Sequence, residues 1–90
     1  MLEREVTVIN PLGLHARAVG QLVRLAIGYA SQITLRRQDG LQSADAKDIL
    51  SLLHLAVVVG ETLTVISEGQ DEDAAIATVA GLFDSGFGEI

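Results

Sequence analysis

The chain has 90 residues and a formal net charge of −6, from 12 acidic and 6 basic side chains. This length predicts a single domain over residues 1–90. Cysteine is absent, which excludes a disulfide framework and thiolate chemistry. Aromatic residues make up only 3% of the chain, so the core must be aliphatic. Acidic charge and few aromatic rings together argue against nucleic-acid binding, which uses basic patches and stacking rings.

Membrane, export and metal roles are also disfavoured. The longest apolar stretch, residues 52–59, is far shorter than the roughly 20 residues that a membrane-spanning helix needs. The first residues lack the charge and hydropathy pattern of a signal peptide. His15 and His54 could form a structural zinc site only with carboxylate ligands, which is an uncommon arrangement. We therefore expect a cytoplasmic protein that inserts into no membrane and holds no metal or cofactor.

The predicted elements follow the order β-α-β-β-α-β-α. Period-two alternation and turn residues predict strands over residues 5–9, 32–37, 41–44 and 61–67. A 3.6-residue apolar period predicts a first helix over residues 16–30, with the stripe Val19, Leu22, Val23, Ala26, Ile27 and Ala30. Asp48 is expected to cap a short helix that ends near Leu53. The acidic run Asp71–Asp73 is expected to open a last helix as a solvated, dipole-matched segment, and residues 83–90 are expected to fray.

This order predicts an α+β sandwich in which one antiparallel sheet carries the helices on one face. The first and second strands are joined through a helix and need not be adjacent. The fourth strand can then fill the gap between them, which allows a right-handed first crossover.

One segment carries a chemical signature. Gly13-Leu14-His15-Ala16-Arg17 lies between the first strand and the first helix, so His15 is expected at a helix N-terminus. Free backbone N–H groups and the positive end of the helix dipole favour an anion there, phosphate above all. Arg17 can add a bidentate guanidinium, and a neutral imidazole is a competent nucleophile. His15 and Arg17 are therefore candidates for phosphoryl transfer.

Each of these residues also has a purely structural interpretation. His15 could be an exposed loop histidine that happens to precede a helix. His54 is expected to be a surface or half-buried histidine without catalytic duty, with a place at the rim of a partner site as the alternative. Asp48 could act only as a helix cap.

The motif Gly13–Arg17 resembles the active-site motif of HPr, the histidine-containing phosphocarrier protein family of the phosphoenolpyruvate-dependent phosphotransferase system. The resemblance continues through Glu5–Val8, Ile33–Leu35, Ala44–Lys47 and Glu61–Gly69 as far as Phe83. It implies a βαββαβα open-faced sandwich, with a four-stranded antiparallel sheet and three helices on one face. It also implies a bacterial, cytoplasmic phosphocarrier in sugar transport, which serves its partners as a substrate and is not a stand-alone enzyme.

The resemblance implies roles for individual residues. His15 would accept a phosphoryl group on Nδ1 from phospho-enzyme I and donate it to enzyme IIA domains, and Arg17 would steady that group. The partner surface would lie on the exposed side of the first helix and on the short second helix. Its expected positions, besides Arg17, are Ala16, Gly20, Gln21, Arg24, Lys47, Asp48, Ile49, Leu50 and Leu53.

The sequence departs from the family pattern at three points. Ala18 stands where the family usually has proline, which should loosen the first helical turn. Asp48 stands at the usual regulatory phosphoserine position, cannot be phosphorylated by an HPr kinase and carries a weaker fixed charge. Basic residues near the site are few, namely Arg17, Arg24 and Lys47, which bears on docking to enzyme I.

Two alternatives to a sugar-branch carrier stay open. Residues Gly81–Glu89 resemble the tail of NPr, the nitrogen-branch paralogue, which would make the chain a carrier in a regulatory relay. A non-catalytic module that binds regulatory proteins on the same fold is the other alternative. The presence of both His15 and Arg17 favours a carrier.

Overall fold

A computed structural model describes all residues from 1 to 90. The strands are β1 (Leu2–Thr7), β2 (Gln32–Arg37), β3 (Ser43–Asp45) and β4 (Thr62–Glu68). The helices are α1 (Ala16–Ala26), α2 (Ile49–Leu55) and α3 (Glu72–Asp84), followed by one 3-10 turn at Gly86–Gly88. None of the helices has the length and apolar character needed to cross a bilayer.

The four strands form one antiparallel sheet in the order β1-β4-β2-β3. β4 lies between β1 and β2, with Val65 opposite Arg4 on one side and Leu35 on the other. The prediction that the fourth strand fills the gap between the first two is therefore confirmed. The ends of β1 and β4 that carry Thr7 and Thr62 meet, so the loop after β1 leaves the sheet at that edge.

The core is aliphatic, as the composition predicts, and lies between one face of the sheet and the helices. Strand residues such as Ile33 and Val65 are fully buried in one cluster with Leu22 of α1 and Val79 of α3. The cluster contains two aromatic rings, Phe83 and Phe87. Burial of each large aliphatic side chain contributes roughly 1.5–3 kcal/mol before entropy is counted.

Several predicted boundaries are wrong: β1 starts three residues and ends two residues earlier than predicted, β3 starts two residues later, and α1 ends four residues earlier. The start of β1 and the end of α1 have local reasons. β1 begins at Leu2, and residues 3–5 are polar and exposed, so they show no apolar alternation that would mark them as part of a strand. Helix α1 ends at Ala26, where the bond from the Gly28 amide to the Leu25 carbonyl tightens the chain into a turn. Ile27 is therefore 61% exposed, and Ala30 is exposed as well.

The last eight residues differ most from expectation. Instead of fraying from residue 83, the chain continues α3 to Asp84 and adds a 3-10 turn. Phe83 is fully buried and Phe87 is 3% exposed, with their rings edge to face at a centroid distance of 5.0 Å. This aromatic pair fixes the tail. The polar and glycine-rich residues around Phe87 are typical of an exposed chain end, so the sequence did not indicate this contact.

The acidic start of α3 also has a structural contact that was not predicted. Asp71 accepts hydrogen bonds from the Ser31 hydroxyl and from the amides of Ala30 and Ser31. These bonds, the Ser31 hydroxyl first, hold the pKa of the Asp71 carboxyl below its ordinary value. Asp71 therefore ties the start of α3 to the entry of β2, whereas Asp73 is exposed as expected.

Candidate functional site

The loop between β1 and α1 is held by hydrogen bonds between Asn10 and Gly13 and by a hydrogen bond to the Val57 carbonyl. The buried Asn10 side chain donates to the Gly13 carbonyl at 2.7 Å, and the Gly13 amide donates to the Asn10 carbonyl at 3.1 Å. Gly13 has a left-handed φ of +63°, and a Cβ on it would lie 2.5 Å from the Val57 carbonyl oxygen. Only glycine fits this close approach. The next amide, of Leu14, donates to that same carbonyl at 3.1 Å.

This loop delivers His15 as the N-cap residue of α1, with extended backbone angles φ −76° and ψ 175°. The His15 carbonyl accepts from the Val19 amide at 2.9 Å, which starts the helix. Its side chain does not cap the helix, so no side chain occupies the first free N–H groups. The expected position of His15 at a helix N-terminus is what the structure has.

The two ring nitrogens of His15 are in different surroundings. Nε2 bonds the Oε2 carboxylate oxygen of Glu89, and the His15 side chain is 24% exposed. Nδ1 has no hydrogen-bond partner in the protein and is not fully buried. The ring is thus anchored at one nitrogen, and the other is open for chemistry.

Arg17 lies in the first turn of α1 and is exposed. It forms no ion pair, whereas Arg36 and Arg37 are paired with Glu3 and Glu61. The Arg17 guanidinium is therefore exposed and unpaired, on a residue two positions after His15. Ala18, which stands where the resembled family usually has proline, is fully buried.

The apolar side chains of α2 divide by exposure, and the three predicted as partner positions are the exposed ones. Ile49, Leu50 and Leu53 are 50%, 67% and 39% exposed, while Leu52 and Leu55 are buried in the core. The short helix therefore presents apolar side chains to solvent, and a patch of such side chains commonly marks a site of contact with another molecule. On α1, the predicted positions Ala16 and Arg24 are exposed, and Gly20 and Gln21 are half-buried.

Lys47 and Asp48 are both engaged within the fold. Lys47 Nζ donates to the Tyr29 carbonyl at 2.7 Å. Asp48 is the N-cap of α2 and accepts from the amides of Leu50 at 3.0 Å and Ser51 at 3.3 Å. The capping role predicted for Asp48 is present, and it uses one carboxylate oxygen, Oδ1.

His54 lies on α2, apart from the loop that carries His15. Its Nδ1 contacts the Leu50 carbonyl at 3.1 Å within α2, and its side chain is exposed. It lines a shallow groove of about 580 Å³ at the β3–α2 junction, with Leu41 and Ser51 among its neighbours. Apart from His54, the residues that line the groove are uncharged.

Glu89 is the site residue that sequence reasoning missed. Its Oε2 accepts from His15 and, at 3.3 Å, from the Asn10 side-chain amide. The hydrogen bond from His15 holds the pKa of Glu89 below its ordinary value, against an opposing effect of desolvation. The tail resembles that of NPr, but nothing local in the sequence pairs residue 89 with residue 15.

Comparison with known proteins gives matches over nearly the whole chain. The family described as "PTS HPr component phosphorylation site" matches residues 2–85. A phosphocarrier protein NPr of Shewanella violacea is 43% identical, over 98% of this chain and 94% of its own length. A phosphocarrier protein HPr of Cupriavidus necator is 40% identical, over 99% of this chain and 98% of its own length.

Solved structures agree with the sequence matches. The crystal structure of an HPr from Thermoanaerobacter tengcongensis superposes with a TM-score of 0.93 at 33% identity, covering 100% of this chain and 99% of that chain. An HPr from Bacillus anthracis gives a TM-score of 0.84 at 28% identity, covering 91% and 95%. The fold, the full-length matches and the family description lead to one conclusion: the chain belongs to the HPr family, the phosphocarrier proteins of the phosphotransferase system.

Proposed function

We propose that this protein accepts a phosphoryl group on His15 from phospho-enzyme I and donates it to enzyme IIA domains in the cytoplasm. The observation that carries the proposal is the unpartnered Nδ1 of His15 at the uncapped N-terminus of α1. A phosphoryl group on Nδ1 would lie near free backbone N–H groups and the positive end of the helix dipole.

The step needs little beyond positioning and charge. The Nδ1 lone pair forms a bond to phosphorus, and the bond from phosphorus to the donor atom of enzyme I breaks with its electron pair. Donation to an enzyme IIA histidine is the same displacement with His15 as the leaving group. Phosphoryl transfer of this kind is accelerated mainly by alignment and electrostatic stabilisation. The unpaired Arg17 would supply the cationic contact to the phosphoryl oxygens.

The docking surface proposed for both partners joins α1 and α2. Exposed Ile49, Leu50 and Leu53 would form its apolar part, and Arg17 and Arg24 its charged part. Lys47 contributes less than its charge suggests, since its ammonium group is already bonded to a carbonyl. An apolar centre with a polar rim is the usual anatomy of such interfaces.

Intact-mass measurement tests the proposal. The protein is incubated with phosphoenolpyruvate, magnesium and enzyme I, and we expect one added, acid-labile phosphate. His15→Ala should abolish it, whereas His54→Ala, which removes the only other histidine, should not. Transfer that persists in His15→Ala, or the absence of transfer with every enzyme I of the source organism, would contradict the proposal. The second result would favour a regulatory binding module.

The branch is decided by the same assay. Relatives named NPr and HPr match this chain at 43% and 40% identity. The enzyme I of the carbon branch and that of the nitrogen branch should therefore both be tested. Initial rates are compared with carbon-branch and nitrogen-branch enzyme I, each followed by its own enzyme IIA. A preference for the nitrogen-branch pair would make the protein an NPr-like regulatory carrier.

A further inference from the structure

We propose that Glu89 is a positioning residue for His15, whose carboxylate fixes the Nε2–H form of the ring and stabilises the cation formed when Nδ1 takes a phosphoryl group. The inference deepens the proposed function and rests on it for the second part only. The contact that carries it joins Nε2 of His15 to Oε2 of Glu89.

The carboxylate is held in place by the packed tail. Phe87 is buried against Phe83, and the buried Gly86 has a left-handed φ of +63°. The Glu89 amide donates to the Gly86 carbonyl at 2.9 Å, which closes the 3-10 turn. Residue 89 is thus fixed to the core through the aromatic pair, and its side chain reaches His15 without depending on the flexibility of a chain end.

The surroundings of Glu89 are unusual for a surface carboxylate. Its side chain is only 14% exposed. Oε2 accepts from both His15 and Asn10, while Oε1 is buried without a partner. An acceptor oxygen that is buried and unpaired costs stability.

The chemistry follows from donor and acceptor counts. An ionised carboxylate only accepts, so the proton of the contact must be on Nε2 of His15. A neutral imidazole has one N–H, and the lone pair is therefore on Nδ1, the nitrogen that the structure leaves unpartnered. Glu89 thus selects the nucleophilic form of Nδ1 and fixes the ring plane, as a buried carboxylate does for the histidine of a catalytic triad.

The same contact acts on the product. When the Nδ1 lone pair binds phosphorus, the ring keeps its Nε2 proton and becomes a phosphoimidazolium cation. The carboxylate of Glu89 lies against that proton and opposes the positive charge. Since the helix amides and Arg17 act on the phosphoryl oxygens, Glu89 is the group that acts on the ring itself.

The first test uses the free protein and needs no partner. In 15N-labelled protein at neutral pH, wild type should show a His15 Nε2–H proton that is protected from exchange with water. Glu89→Ala should lose that protection, and so should Phe87→Ala, which keeps the carboxylate but removes the anchor of the tail. Glu68→Gln is the matched control, because Glu68 is exposed at the opposite end of the sheet. An unprotected Nε2–H, or protonation at Nδ1 in wild type, would overturn the proposal.

The second test measures transfer from phospho-enzyme I in a single turnover. We expect Glu89→Gln to slow the chemical step about tenfold without changing the concentration of enzyme I needed for half-maximal rate. Glu68→Gln, with the same change in net charge, should transfer at the wild-type rate. Equal or faster transfer by Glu89→Gln would refute a positioning role. If wild type accepts no phosphate at all, the proposed function fails and the Nε2–H measurement still decides whether Glu89 sets the ring.

Discussion

Gly13 gives the sharpest test of how the backbone shapes the site, because its substitution is blocked in two ways. Its φ of +63° is a conformation that alanine adopts at a cost of about 1–2 kcal/mol. In addition, an alanine Cβ would lie 2.5 Å from the Val57 carbonyl oxygen, a backbone atom that cannot rotate away. Relief of the clash must move the loop and weaken the bond from the Leu14 amide to that carbonyl, for about 1 kcal/mol more.

Gly40 is the matched control for Gly13. Its φ is +74°, yet nothing lies within 4 Å of a Cβ placed on it. Gly40→Ala should therefore cost only the left-handed penalty, partly offset by reduced entropy of the unfolded chain, for a net loss of about 1 kcal/mol. Gly13→Ala has the same net cost and loses about 1 kcal/mol more through the clash and the weakened hydrogen bond, or about 2 kcal/mol in total.

Urea denaturation and thermal melting measure the difference. For a domain of this size, about 1 kcal/mol corresponds to a shift of roughly 4–8 °C in Tm. We expect Gly40→Ala to lower Tm by roughly 5 °C and Gly13→Ala by roughly 8–16 °C. Gly13→Ala should also slow phosphorylation of His15. The Gly13 carbonyl holds the Asn10 side chain, which in turn donates to the Glu89 carboxylate that bonds His15. Equal destabilisation by the two variants would refute the packing argument.

Three further outcomes are expected. Asp48→Ala removes the side-chain acceptor for the amides of Leu50 and Ser51 and should lower stability by about 1 kcal/mol in urea titrations; an unchanged midpoint would contradict the capping role. The pKa of Asp71 is depressed by bonds to Ser31 and Ala30, so its contribution is present above its ordinary pKa of about 3.8 and is lost as pH falls through the lower, folded value. The stability difference between wild type and Asp71→Asn should therefore shrink below about pH 3.8, and a constant difference from pH 7 to pH 2 would contradict that linkage. An HPr kinase should add no phosphate at residue 48, as judged by peptide mass mapping, and incorporation there would disprove the absence of a seryl switch.

The fold was largely readable because its signals are local and periodic. The switch from alternation to the helical stripe of Val19 and Leu22 marks β1 and α1 in order, and both side chains are fully buried. Asp39-Gly40 marks the turn between β2 and β3, where the Gly40 amide donates to the Arg37 carbonyl at 2.9 Å. The predicted end of β1 is wrong because hydrogen bonding to the neighbouring segment continues past the last strand residue. Val8 lies beyond β1 yet still donates to the Glu61 carbonyl at 2.9 Å.

The site was readable only in part, for the same reason. His15 and Arg17 share one turn, and a glycine, a histidine and an arginine at that spacing suffice to suggest an anion site. Glu89 contacts His15 across 74 positions of sequence, so no local pattern can pair them. Its placement depends on Phe87, whose left-handed φ of 54° is rare for a bulky residue and is held by burial of the ring.

Identifying which ring nitrogen of His15 carries the phosphoryl group is the most direct test of the central claim. Protein labelled with 15N in the imidazole ring is phosphorylated by enzyme I and phosphoenolpyruvate, and the ring nitrogen shifts and couplings to phosphorus are recorded. We predict a phosphorus–nitrogen bond at Nδ1, with Nε2 still protonated and facing Glu89. Phosphate on Nε2, the nitrogen already held by the carboxylate, or on any residue other than His15 would contradict the account.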